Sequence, residues 1–151
     1  MIRIDRAYVA LAIALLLIGE LLGLYMGLMS DMKLRMLHVT IQLVGFVTLM
    51  LFGFTYRLWP AMKTGMLAAV QFWLAAVGVL GIVVGTYQYV TTGAVMIVAH
   101  ASIVFIIATI LLAWLFWTRR RYLNTITAIE RHGLSKTVSQ KSQDGANFNW
   151  P

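Results

Sequence analysis

Four apolar runs dominate this chain: Ala7–Met29, Met36–Trp59, Met66–Val90 and Ala94–Trp117. Each is 23 to 25 residues long, and a helix needs roughly 20 apolar residues to cross the hydrocarbon of a bilayer. Charged residues make up 11% of the chain and apolar or aromatic ones 61%, against about 25% and about half in an average soluble domain. The runs hold nearly two thirds of the residues, so too little chain remains for a second, soluble core. A transmembrane β-barrel is excluded as well, because it needs short segments of alternating polarity. The expected fold is therefore all-α: an integral membrane four-helix bundle over residues 1–121. A cytoplasmic tail, 122–151, follows, first a short helix and then flexible polar chain.

The first run follows Arg3 and Arg6. It is too long for a signal peptide and lacks a small-residue cleavage site, so it reads as a retained first span. Basic residues then set the orientation. Arg3, Arg6, Arg57, Lys63 and Arg119 to Arg121 all fall on one side of a four-span topology. Only the first connection, with Asp31, Lys33 and Arg35, is basic on the other. Both termini are expected in the cytoplasm, in a membrane of the bacterial inner, or plasma, type. Tyr56, Trp59, Trp114, Trp117 and Tyr122 are expected at the inner interface, Tyr87 and Tyr89 at the outer one. The net charge of +7 reads as topology and contact with anionic lipid, not as a nucleic-acid surface.

Close helix packing in lipid uses small residues at four-residue spacing. Gly19, Gly23 and Gly27 in the first run, and Gly78, Gly81 and Gly85 in the third, are read as packing faces.

Chemistry must come from the few polar side chains in the spans. With no cysteine in the chain, disulfides, thiolate metal sites and thioether-linked haem are excluded. Three acidic or histidine side chains lie within the apolar runs, where such groups are costly and commonly functional: Glu20, His38 and His100. His132 falls in the tail. At about 1.5 Å per residue, His38 lies roughly 3 Å and His100 roughly 9 Å along spans that both start at the outer face. Two neutral imidazoles at similar depth on different helices are the ligand set of a low-spin b-type haem. Gly45 leaves room for a porphyrin edge, Gln42 is a hydrogen-bonding neighbour, and Arg35, with Lys33 near it, suits the propionates. Glu20, roughly 20 Å along the first span, reads either as a proton or quinone contact or as a protonated group bonded across a helix interface.

The stretch Leu37–Pro60 carries a histidine near the outer end of its helix, Gly45-Phe46, a Gly53-Phe54 stretch, and Tyr56 and Pro60 at the inner end. These 24 residues, about a sixth of the chain, resemble a haem-ligand helix of the haem–copper oxidase superfamily, most nearly subunit I of the cbb3-type oxidases and the nitric oxide reductases. The resemblance implies that His38 is an axial haem ligand; His100 is paired with it on depth. The family's large subunit has many more helices and a second haem beside a copper or iron held by further histidines. A chain with two membrane histidines cannot build that centre, so copper is not expected. The large subunit is itself made of similar four-helix arcs, so a short relative is expected to form homo-oligomers, with the ligands from one copy or from two.

The expected function is that of a small membrane cytochrome b for electron transfer or redox and gas sensing, with a quinol or an electron-transfer protein as partner. Two other readings stay open: a haem-free accessory or assembly subunit, and a quinone-binding module using Glu20 and His100.

Overall fold

The structure, a computed structural model, describes residues 3–63 and 65–119. Arg120, Arg121, Tyr122, His132 and the expected tail helix lie outside the described residues. The chain divides into two compact units, Met1–Phe116 and Trp117–Pro151, and the architecture below is that of the first.

Among the described residues all regular structure is helical. Four long helices follow the four apolar runs: α1 (Ile4–Met29), α2 (Arg35–Leu58), α3 (Met66–Thr92) and α4 (Met96–Arg119). Each is long and apolar enough to cross a membrane, which makes this a multi-pass membrane protein. We refer to its two faces as the Asp5 end and the Ser30 end.

The helix ends have local causes. α1 closes with Ser30 in the left-handed region, φ 50°. Ser30 N–H donates to the Gly27 carbonyl and Asp31 N–H to that of Met26, a pairing that caps two otherwise orphan carbonyls. α2 stops at Leu58 because Pro60 forces the residue before it out of helical geometry, and Trp59 sits at φ −120°, ψ 79°. α3 ends on Gly93, whose φ of 76° favours a residue without Cβ.

α2 is not uniform. Between Arg35–Thr40 and Thr48–Leu58 the helix widens to a π turn over Ile41–Val47. Thr48 closes that turn: its N–H and its Oγ1 both donate to the Leu43 carbonyl, five residues back. Such wide turns are rare, and they are frequent near functional positions.

Packing proceeds through glycines, as the spacing predicts, but on two separate seams. Along the α3–α4 seam, a Cβ added to Gly78 or Gly81 would come within 3 Å of Phe105 or Ala101, and one at Gly85 would strike the backbone of Val98. The other seam joins α1 and α2, where Gly53 receives Tyr8 and Val9 and Gly45 receives Leu15. Aromatic contacts tie the two pairs together: Tyr8 meets Phe72 edge-on at 4.9 Å, and Phe52 stacks on Phe105 at 6.0 Å. At the Asp5 end, the buried carboxylate of Asp5 lies 3.2 Å from Lys63 Nζ and 4.0 Å from Arg57. That contact fastens the start of α1 to the connection between α2 and α3.

A polar knot lies inside the bundle, within about two turns of the Asp5 ends of α1, α2 and α3. Gln71 on α3 is fully buried. Its Oε1 accepts from Tyr8 Oη (2.6 Å) and Tyr56 Oη (3.1 Å), and its Nε2 donates to the Ala108 carbonyl at 3.2 Å. All four helices meet at this one side chain. Tyr56, two residues from the end of α2, is fully buried, and its hydroxyl finds its acceptor inside the bundle.

Candidate functional site

The first turns of α2 and the α1–α2 seam together position His38. Its ring stands just ahead of the π turn, and Gln42 follows four residues on, within that turn. Both side chains lie over the glycines of α1. A Cβ at Gly23 would come 2.9 Å from His38 Cε1, and one at Gly19 would come 2.8 Å from Gln42 Nε2. Larger residues at 19 and 23 would push these polar groups out of the seam. A Cβ at Gly27, by contrast, would meet nothing within 4 Å, so this glycine takes no part in packing the protomer.

His38 is half-buried, and its Nδ1 lies 2.9 Å from the Gly19 carbonyl oxygen. A carbonyl can only accept, so Nδ1 carries the proton and a neutral ring keeps its lone pair on Nε2. His100 has the same tautomer for the same reason, its Nδ1 lying 2.7 Å from the Met96 carbonyl. A backbone carbonyl that fixes one ring nitrogen and frees the other is the usual support of a metal-binding histidine.

The two rings nevertheless occupy different seams. His38 faces α1. His100 is exposed on α4 and opens onto an apolar groove of about 350 Å3, lined by Val77 and Gly81 of α3 and Met96, Ile97, Ala101 and Val104 of α4. Within one protomer the structure does not bring the two imidazoles to a common point. Among the described residues no three of His, Cys, Asp or Glu cluster as a metal site.

Their levels along the bundle do agree. Leu34, just ahead of α2, shares an open cleft of about 410 Å3 with Tyr25 and Met26 of α1 and with Tyr87, Val90 and Thr91 of α3. One turn further in, His38 lies level with the Gly85 turn of α3, and Gly85 and Gly81 pack on Val98 and Ala101. His100 stands between those two residues, so both imidazoles lie within about one helical turn, or roughly 5 Å, of the same level.

The remaining expected site residues are placed as follows. Arg35 is exposed on the first turn of α2, three residues toward the Ser30 end from His38. Lys33 pairs with Asp31 at 3.7 Å. Gly45 is buried under Leu15, so the space expected for a porphyrin edge is filled by protein. Glu20 is exposed on the side of α1 away from the bundle. It is next to the Gly19 whose carbonyl holds His38, and it does not bond across the α1–α2 seam.

Two residues of structural weight, Gln71 and Asp5, escape a reading of the sequence that looks for ionisable groups inside the spans. An amide in an apolar run, with tyrosines near the ends of two other runs, is the signal that points to the knot. Asp5 carries a similar one, an acidic residue just ahead of a span and opposite Arg57 and Lys63. A scan of protein-family models and searches of curated proteins and of solved structures find no match to this chain.

Proposed function

We propose that this protein is a small membrane b-type cytochrome, similar to a piece of the haem–copper oxidase large subunit. It would bind low-spin haem b through His38 and His100, for electron transfer or redox and gas sensing. The supporting observation is the common state of the two histidines: each has Nδ1 tied to a backbone carbonyl and each offers Nε2, and both stand within about one helical turn of the same level. Because they face different seams, the two ligands of one haem come from two copies of the chain. A homo-oligomer is therefore part of the proposal.

Haem held by these two histidines would supply one-electron exchange. The chain's own residues supply the setting. The Gly19 and Met96 carbonyls orient the ligand rings, Gln42 lies beside His38, and Arg35 at the Ser30 end suits a carboxylate. Glu20, open to the lipid, is the residue a membrane quinol reaches first, as a proton acceptor; an electron-transfer protein is the other candidate partner. Copper has no role in this reading. We place the chain in a bacterial-type inner membrane with both termini cytoplasmic, because Arg3, Arg6, Arg57 and Lys63 all gather at the Asp5 end.

The test is optical. Purified protein reduced with dithionite is expected to show a Soret band with sharp α and β bands. His38→Ala and His100→Ala should each remove the low-spin spectrum. A colourless protein made with ample haem would end the proposal. It would leave the second reading, a haem-free accessory or assembly subunit, in which the His38–Gly19 bond serves as a helix lock and nothing more.

A further inference from the structure

Two ionisable side chains within the spans point away from the bundle: Glu20 on α1 and His100 on α4. Each is costly where it stands, because a polar group facing hydrocarbon has no water to bond. The Met96 carbonyl holds His100 Nδ1, but among the described residues neither His100 Nε2 nor the Glu20 carboxyl has a partner within its own protomer. Among the described residues, the groove beneath His100 is lined by α3 and α4, and on the α1 face around Glu20 the side chains of Leu17, Leu21, Leu24 and Leu28 are all more than half exposed.

The two groups are chemically complementary and stand at one level. Gly19 and Gly23, on either side of Glu20, contact Gln42 and His38 of α2. Following these levels through the Gly85 turn of α3 brings Glu20 opposite the Val98–Ala101 turn of α4, where His100 lies. Copies of a membrane protein share one orientation, so a carboxyl and an imidazole can meet between parallel copies only at equal depth, and here they can.

We propose that a second copy of this chain seats the α1 face bearing Glu20 in the α3–α4 groove of the first, with the Glu20 carboxyl hydrogen-bonded to His100 Nε2. Gly81 and Ala101 leave that groove shallow-walled enough for a helix to approach. The contact is head-to-tail, and copies of one orientation repeat it by rotation about the membrane normal. It deepens the proposed function and rests on that reading only in one respect, the sharing of a site between copies. The contact belongs to the haem-free assembly and brings His100 of one copy to the α1–α2 seam that holds His38 of the next. Iron on His100 would displace Glu20.

The chain has no cysteine, which makes the contact directly readable. Leu24 lies one turn from Glu20 toward the Ser30 end, and Ile97 lies one turn from His100 in the same direction. In membranes from cells limited for haem, the full-length Leu24→Cys/Ile97→Cys double variant is expected to cross-link between copies on mild oxidation. The level-mismatched Leu24→Cys/Val104→Cys pair and each single variant should not. Adding Glu20→Ala to the matched pair should lower the cross-linked fraction about three- to tenfold, the range expected for loss of one interhelical hydrogen bond in lipid. Adding His100→Ala as well should lower it no further, as for two residues that act as one pair. Cross-linking by Leu24→Cys alone, or by none of the pairs, overturns the proposal. Haem is then added to the same membranes. A cross-link without a low-spin spectrum keeps the contact and ends the cytochrome reading; a spectrum without a cross-link does the reverse.

Discussion

The Gln71 knot and the His38 level are both polar, both within the membrane spans, and differ in every other respect. At the knot, each polar atom named has a partner and all four helices contribute. At the His38 level, one imidazole is half-buried with a nitrogen to spare, another is exposed, and a carboxyl faces outward. A closed network of this kind fixes an architecture, since a partly satisfied one would cost more than none. An open set of groups at one depth has bonding capacity left for something outside the protomer. The contrast separates what holds this bundle together from what it offers to a ligand or a neighbour.

That contrast can be broken most forcefully at its closed half. Gln71→Ala strands two buried tyrosine hydroxyls, and is expected to cost about 2–6 kcal/mol, from about 1–3 kcal/mol per buried group left unsatisfied. Thermal unfolding in detergent measures it. Replacing the knot wholesale, with Tyr8→Phe, Tyr56→Phe and Gln71→Leu together, should recover much of that loss, because the hydroxyls and the amide go together. If the triple variant is no more stable than Gln71→Ala, the knot is not the keystone we take it for.

Gly85→Ala comes next. Its Cβ would lie 2.7 Å from Val98 Cα, so α3 and α4 must part, at an expected cost of about 1–3 kcal/mol, read in the same melts. The histidines should then diverge: His38→Ala loses a part-buried hydrogen bond and about 1 kcal/mol, while His100→Ala leaves the melting temperature of the protomer unchanged. Equal losses from both would erase the distinction between the seams. The smallest effect belongs to Gly27→Ala, which meets nothing and should stabilise α1 by about 0.5–1 kcal/mol. Gly23→Ala is its control: it presses on the His38 ring and should shift any low-spin spectrum.

The four helices were legible in the sequence because length and hydropathy alone decide whether a segment can span a bilayer. The glycines of α3 were legible too, since Gly78, Gly81 and Gly85 at near four-residue spacing can do little but admit a neighbour. The same spacing in α1 conceals different fates: Gly19 and Gly23 make room for Gln42 and His38, and Gly27 admits nothing. Only knowledge of which helix lies opposite tells these apart. The π turn over Ile41–Val47 leaves no mark that hydrophobic periodicity can register, since every residue there but Gln42 is apolar. The burial of Tyr56 was not legible, because its acceptor, Gln71, comes from a different run. The depth match of His38 and His100 could be counted along the chain; the side on which each ring emerges could not.

The knot also has a consequence for how the chain is made. Spans enter a membrane in order of synthesis, so α1, α2 and α3 can already join Tyr8, Tyr56 and Gln71 while the amide hydrogens of Gln71 still await the Ala108 carbonyl. The last span to emerge is the one that completes the circuit, and a ribosome that stops short of Ala108 leaves a tripod with a bare donor at its centre, a ready mark for the cell's quality control.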